Sequence, residues 1–338
     1  MTSDCIHSAR RLDINQDASE DTCYLLSRYH VRMDLRQVEA LVAIEESGSF
    51  TGAAVALGTV QSNISSRIAR LERELDTVLV ERGTGRLTDE GVAVVRRGHR
   101  ILAEVDAALA DVVAMGSEVA GVVGIGIIGT TGRWLIPQIL EVLRNQHPRI
   151  RLRIIEGTST TLEPQLASGQ LDLAVVTLPL HAESLITSPL FDEELVLVVP
   201  IGHPLARRRT PVPFREVAKL ELLLPLEGTA LRLDLDEVAA REGVSLTAAI
   251  ELDGLRTLAS LVFDGYGPAI LPATAVPLHI RDRFTPVAIK GIGRRHVGIA
   301  ERRFGLPSAP TRYVRSLLEQ IVADGLLPRG LHPPSDGV

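Results

Sequence analysis

No stretch of this 338-residue chain has the roughly 18 to 20 consecutive apolar residues that a membrane-spanning helix needs. The longest apolar runs, around 119–128 and 195–201, have the length of buried strands. A secretion signal is missing too, because Arg10, Arg11, Asp13 and Asp17 interrupt any apolar core near the N-terminus. These absences point to a cytoplasmic protein with no membrane partner. Cysteine is nearly absent: Cys5 and Cys23 both lie in the first 33 residues, with no His or Cys cluster beside them. That excludes a zinc site of ordinary spacing. The segment around them is polar and irregular, and reads as a disordered extension over 1–32 rather than a redox pair. Met33 directly precedes the first well-patterned helix and is a second candidate start. Lysine occurs only at 219 and 290, so arginine is the default cation and one arginine alone means little. A net charge of −6 does not advertise nucleic-acid binding, although an acidic domain can mask a local basic face. There is no G-x-S-x-G, H-E-x-x-H or Walker motif, the histidines are scattered singly, and no metal site or cofactor is expected.

What is present begins at Leu35. Leu35, Val38, Leu41, Val42 and Ile44 recur at helical spacing, and Gly48 stops that helix. Ser49 is a fair cap for a second helix carrying Phe50, Ala53, Ala54 and Leu57 on one face. Gly58 ends it, and Thr59 is positioned to cap a third helix with Ile64, Ile68, Leu71 and Leu75 inward. Two short helices around a glycine-containing turn form a helix-turn-helix. The outward face of the third helix presents Gln61, Ser62, Asn63, Ser65, Ser66, Arg67 and Arg70, with no acid until Glu72. Glutamine and asparagine pair with adenine, arginine with guanine, and serine with either. The bland reading is a solvated helix face; behind a well-formed helix-turn, DNA contact is the better one. Residues 79–88 read as a small hairpin, a wing whose Arg82 and Arg86 would meet phosphates or the minor groove.

Thr88 can cap a long helix from Asp89 to about Met115. Val95, Leu102 and Leu109 stand seven apart, with Val105 between them, as in a short coiled-coil seam. From Val122 onward, strand and helix alternate: strands over 122–128, 150–155, 171–176, 194–199, 247–252, 268–271, 284–289 and 295–300, and helices over 134–146, 160–168, 229–242, 254–264, 273–280 and 309–323. Such alternation implies parallel sheets covered by helices. Two lobes result, with chain crossings near 180–195 and 281–285, in a periplasmic-binding-protein-like α/β clamshell. Ligands of open α/β sheets sit at the carboxyl ends of strands, near helix N-termini. Thr130, Thr131, Ser159, Thr177, Thr229, Gly265 and Tyr266 occupy such positions and are the candidate effector contacts; the Thr and Ser also suit plain helix capping. Arg133 and Arg232 hint at an anion.

The run MDLRQVEALVAIEESGSFTGAAVALGTVQSNISSRIARLERELDTVLVER with RLTDEG resembles the DNA-binding domain of LysR-type transcriptional regulators. EGTSTTLEPQLASGQLDLAVV, LVLVVPIGHPLA and LVFDGYGPAILP resemble the sensor domain of the same family. Together they span Met33 to about residue 325. Two details depart from the family pattern. Ser66 stands where the family commonly has arginine, and the wing is shorter than usual. The resemblance implies a regulator of pseudo-palindromic double-stranded DNA, a homodimer or homotetramer joined through the linker helix, and a small-molecule effector contacted at Thr130, Ser159 and their neighbours. The expected domains are a winged helix-turn-helix over 33–91, a linker helix over 92–118, lobe I over 119–184 plus 284–325, lobe II over 185–283, and a disordered tail over 326–338. Two rival readings fit less well. Gly124, Gly126 and Gly129 spell G-x-G-x-x-G, as in an NAD(P)-dependent oxidoreductase, but they fall in a strand, with the helix expected only near Arg133. A solute-binding receptor would need a secretion signal and no helix-turn-helix. A chain starting at Met33 should fold and bind DNA like the full chain; loss of either in a mobility-shift assay or melting curve would give 1–32 a role.

Overall fold

The computed structural model describes residues 33–81, 83–116, 118–277, 282–324 and 327–335. The extension 1–32, with both cysteines, and Arg82 on the wing lie outside the described residues. The chain divides into two compact units, up to Gly98 and from His99.

In the first unit, α1 (Leu35–Ser47) starts at Asp34, whose carboxylate accepts from the Gln37 amide while the Gln37 side chain accepts from the Asp34 amide. This capping box satisfies two amides that a helix start otherwise leaves open. Ser49 caps α2 (Phe50–Ala56) as expected, accepting from Gly52 N at 3.0 Å. Helix α3 (Gln61–Leu75) departs from expectation: its N-cap is Val60, with no side-chain cap, and Thr59 instead accepts from Asn63 Nδ2 at 2.9 Å. Ile64, Ile68 and Leu71 are buried, and Leu75 is half-buried. Leu35, expected in the apolar stripe, is 43% exposed because it opens α1, ahead of the first turn that packs. Beyond α3, Val80 bridges Leu87 and Glu81 N donates to Arg86 O at 2.8 Å, closing the wing. Glu72 Oε1 accepts from the Leu79 and Val80 amides at 2.9 and 3.2 Å, tying the wing to α3. Thr88 accepts from Gly91 N at 3.0 Å and caps α4 (Asp89–Ala114) as expected. Gly91 has no room for a side chain, since a Cβ there would lie 2.1 Å from Leu79 O.

The second unit is built on one mixed sheet. Strand β1 (Gly121–Ile128) pairs in parallel with β2 (Ile150–Gly157) and β3 (Leu173–Thr177). Helices α5 (Gly129–Gln146) and α6 (Ser159–Ser168) connect them. Strand β4 (Leu185–Pro200) then runs through sixteen residues. Its first part pairs with β10 (Arg294–Arg302), which is antiparallel to β3; its second part pairs with β8 (Ala269–Pro272) and β9 (Phe284–Lys290). Short β5 (Val212–Pro213), leading into α7 (Phe214–Val217), edges β9. Strands β6 (Glu221–Pro225) and β7 (Thr247–Leu252) pair in parallel, joined by α8 (Ala230–Glu242), and Leu223 N reaches Pro268 O at 2.8 Å. Helix α9 (Leu255–Phe263) packs on β6 and β8, and α10 (Ala309–Asp324) on β1 and α5. The expected parallel sheets hold for β1–β3, for β5 with β9 and for β6 with β7, and are corrected at β4 and β10, which run antiparallel. Because β4 passes straight from one lobe to the other, both long crossing strands run against their neighbours.

Three further expectations change. The spacing assigns residues 284–290 to lobe I, but β9 pairs with the far half of β4, and Val287 and Ile289 pack in the lobe II core. The second crossing thus falls at 291–293. The helix expected over 273–280 reduces, in its described part, to a 3₁₀ turn, Ala273–Ala275. The tail expected to be disordered from 326 is folded where described: β11 (Leu331–His332) pairs with β4. β4 also begins nine residues before the expected strand over 194–199, because Thr187, Ser188, Asp192 and Glu193 break the apolar run.

Where β4 changes lobes, Glu193 and Arg295 form a fully buried ion pair. Arg295 donates through Nε and Nη2 to Glu193 Oε2, and Glu193 Oε1 accepts from Thr274 N at 2.7 Å and from its hydroxyl. Burying two charges costs several kcal/mol per ion, so losing one partner is far worse than losing both. Arg295→Met should destabilise by about 3–5 kcal/mol, and adding Glu193→Gln should recover most of that in urea melts. A double variant as unstable as the single one would place the loss elsewhere.

Candidate functional site

The third helix shows the face expected of a DNA reader. Gln61, Ser62, Asn63, Ser65, Ser66 and Arg70 are exposed opposite the Ile64–Ile68–Leu71 stripe, and Arg67 is half-buried. The absence of a side-chain cap leaves the first amides of α3 open to an anion such as phosphate. Arg70 is steered by Glu74, with Nε to Oε1 at 2.9 Å. Glu72, the first acid on the helix, is turned away toward the wing. Arg86 is exposed on the wing. In the linker helix, Val95 is only 4% exposed within a single chain, so it has no free face for a partner; this corrects its place in the expected seam. Leu102 and Val105 are half-buried and Leu109 is 62% exposed.

A cleft of ≈ 390 Å³ opens between the two lobes. Thr130, Ser159, Thr177 and Thr229 line it, so four of the seven expected contacts converge. Thr131, Gly265 and Tyr266 do not: Thr131 is buried behind the cleft, 3.5 Å from Arg295 Nη2, and Tyr266 is 66% exposed elsewhere. Three of the lining hydroxyls are anchored. Thr130 Oγ1 accepts from Arg295 at 3.2 Å, Ser159 Oγ accepts from Thr177 N at 2.9 Å, and Thr229 Oγ1 donates to Leu226 O at 2.8 Å. Helices α5, α8 and α9 start at the cleft with no side-chain cap, so their open amides favour negative or acceptor groups.

The cleft also holds residues absent from the expected effector contacts: Glu156, which the sequence offers only as the acid of the glycine fingerprint, and Asp234, Asp253, Arg256 and Arg295. Arg256 of lobe II pairs with Glu156 of lobe I across the opening. Both are substantially exposed, so the pair is worth little in stability. Burial pushes the Asp234 carboxyl up and Glu237 adds to it, while Arg295 and His296 pull it down. Glu156 and Arg256 are a hundred residues apart, and nothing in spacing links them. Arg232, read as an anion hint, is already engaged by Asp236, Glu251 and the Pro225 carbonyl, and Arg133 is exposed outside the lining. The glycine fingerprint also resolves. Helix α5 begins at Gly129, earlier than expected, but Gly124 and Gly126 lie within β1. A Cβ at Gly126 would meet Leu171 Cδ1 at 2.8 Å, so this glycine serves close packing inside lobe I.

The family description "Bacterial regulatory helix-turn-helix protein, lysR family" matches residues 35–92, and "LysR substrate binding domain" matches 116–323. The chain belongs to the LysR family of bacterial transcriptional regulators. It is a DNA-binding regulator with an effector-binding domain. Nothing supports the oxidoreductase or solute-receptor alternatives. Among relatives, the chain is 32% identical over 294 residues to the DNA-binding transcriptional dual regulator OxyR of Escherichia coli, covering 86% of this chain and 93% of that one. It is 35% identical over 247 residues to a probable hydrogen peroxide-inducible genes activator of Streptomyces viridosporus, covering 72% and 78%. Full-length OxyR from Pseudomonas aeruginosa, with a cysteine replaced by aspartate, shares the fold with a TM-score of 0.69 at 23% identity, covering 90% of this chain and 99% of that one. Among the described residues, no helix of this LysR-type chain is long and apolar enough to cross a membrane.

For the DNA face, Gln61→Ala should weaken specific binding by about 1–3 kcal/mol and leave non-specific binding almost unchanged. Arg86→Ala should weaken all sequences alike and flatten the salt dependence. Fluorescence anisotropy over a salt series checks both, and parental affinity in both variants would mean another surface reads the DNA.

Proposed function

We propose that this LysR-type regulator reads a small polar metabolite non-covalently in the cleft between its lobes, and not peroxide through a thiol. The cysteine distribution carries this reading. Its relatives include hydrogen peroxide-inducible activators, yet its two cysteines, Cys5 and Cys23, both precede the helix-turn-helix. A thiolate is the side-chain group that peroxide oxidises reversibly to a sulfenic acid or disulfide. Residues 116–323 contain no cysteine, so that chemistry has no nucleophile within the effector-binding domain. What that domain does offer is a ≈ 390 Å³ cleft with Thr130, Ser159 and Thr229 on both lobes, each hydroxyl anchored and pre-oriented. A ligand touching both lobes stabilises one lobe angle over others, and only that differential affinity can shift the regulator.

The other assignments follow the same reading. Gln61, Ser62, Asn63, Ser65, Ser66, Arg67 and Arg70 face the operator, with Arg86 at the backbone; Leu102, Val105 and Leu109 contribute to subunit pairing; and the protein works in the cytoplasm, where DNA and metabolite meet.

Two measurements test the central claim. Hydrogen peroxide should leave the DNA footprint unchanged in the parent and in Cys5→Ser/Cys23→Ser alike; a peroxide shift abolished by the double substitution would make the N-terminal cysteines the sensor. A thermal-shift screen of metabolites should yield a ligand, since one at 100 times its Kd stabilises by about 2.7 kcal/mol. Thr229→Val should then weaken that ligand roughly tenfold, about 1.4 kcal/mol. Parental affinity in Thr229→Val, and in Ser159→Ala as well, would remove the cleft as its site.

A further inference from the structure

We propose that residues 327–335 form a clasp on the hinge between the two lobes and set their resting angle before any effector binds. The family match ends at 323, so this segment lies beyond the matched domain. It returns to the point where β4 leaves one lobe for the other. At 192–194, β4 is paired with β10 through Asp192↔His296, Glu193↔Arg295 and Glu194↔Arg294. From 195 its partners are β8 and β9 of lobe II. Strand β11 adds to this same junction, pairing Leu331 with Glu193 and His332 with Asp192. The hinge thereby becomes three strands wide where two crossing strands alone would connect the lobes.

Side chains and close packing reinforce that pairing. Glu194 N donates to Gly330 O at 2.8 Å, and His332 Nε2 lies 2.8 Å from Glu194 Oε1. Asp192 collects the His296 ring on Oδ1 at 2.7 Å and the Ser335 amide on Oδ2 at 3.1 Å, with the Ser335 hydroxyl also on Oδ2. Leu331 is buried in the lobe I core. Gly330 has φ 90° and crosses so close to Ala273, the residue that follows β8, that a Cβ would lie 2.6 Å from the Ala273 Cβ. Another residue there is strained in backbone and blocked by its neighbour. The clasp thus touches β4, the lobe I core and the segment emerging from β8 at once. A change of lobe angle twists β4 at 193–195 and must deform or release these contacts. The cleft reaches the same place through Arg295, which lines it and holds Glu193. Clasp and effector therefore act on one short stretch of strand from opposite sides, and the clasp acts without a ligand.

The test needs no effector. The full-length protein is compared with a chain stopped after Asp324 and with His332→Gln/Ser335→Ala, which keeps Leu331 in its seat. Hydrogen exchange is read by peptide, and footprints are taken on DNA that the parent selects from a random library. Exchange across 192–196 and 294–297 should rise roughly tenfold in both variants, with 123–127 unchanged, and the effector-free footprint should change in length. If the stopped chain does not fold, the double substitution carries the same two readings. Parental exchange at the hinge overturns the clasp. Faster exchange with a parental footprint overturns its control of the resting state.

Discussion

The buried contact between Glu193 and Arg295 sits where the two lobes meet, and much of the effector-binding unit depends on it. Glu193 belongs to β4 at its change of lobe, Arg295 to the returning strand β10, and Thr274, which also binds Glu193, to the segment after β8. An ion pair in this position is a poor source of net stability, because desolvation cancels most of the attraction. Its value is directional. Each charge tolerates few arrangements once water is excluded, so the crossing strands are held in one register and the Thr130 hydroxyl is held at the cleft by the same guanidinium.

That arrangement explains why the cleft is polar yet pre-organised. The Ser159 and Thr229 hydroxyls are fixed by neighbours within their own lobe, so a ligand pays little to orient them. Between the lobes the one side-chain bridge described at the opening is Glu156 with Arg256, half-exposed and weak. Strong bonds lie at the hinge and weak ones at the mouth, which suits lobes that change angle without coming apart. The DNA-reading unit uses a similar division. Glu72 holds the wing against α3 and Gly91 lets α4 pack closely on it, leaving the donors from Gln61 onward free of structural duty, except Asn63 and Arg70.

Much of this was legible beforehand, for identifiable reasons. The three helices of the first unit follow from apolar spacing and the turn at Gly48–Ser49, all within a few residues of one another. The strands around Ile125, Val175 and Val198 are apolar enough to reveal themselves. The first half of β4 was hidden because Asp192 and Glu193 look like surface residues; they are buried, with Ser335, His296, Arg295 and Thr274 as partners. Periodicity does not say which lobe holds residues 284–290, because a strand's partner is set by pairing. Val95 satisfied the heptad spacing and is buried in its own chain, since spacing alone does not say which neighbour covers a face.

The sequence by itself determined the family, the order of domains, the donor-rich face of α3 and the exclusion of thiol chemistry from the effector-binding domain. These rest on residue identity and short-range spacing, which the chain carries in one dimension. Only the tertiary structure decided that Thr130, Ser159, Thr177 and Thr229 share a cleft while Gly265 and Tyr266 do not, that Arg232 is occupied, and that residues 331–335 return to Asp192 and Glu193. Each of those joins groups far apart in sequence, and such contacts arise from how strands pair and cores fill, after local periodicity has had its say.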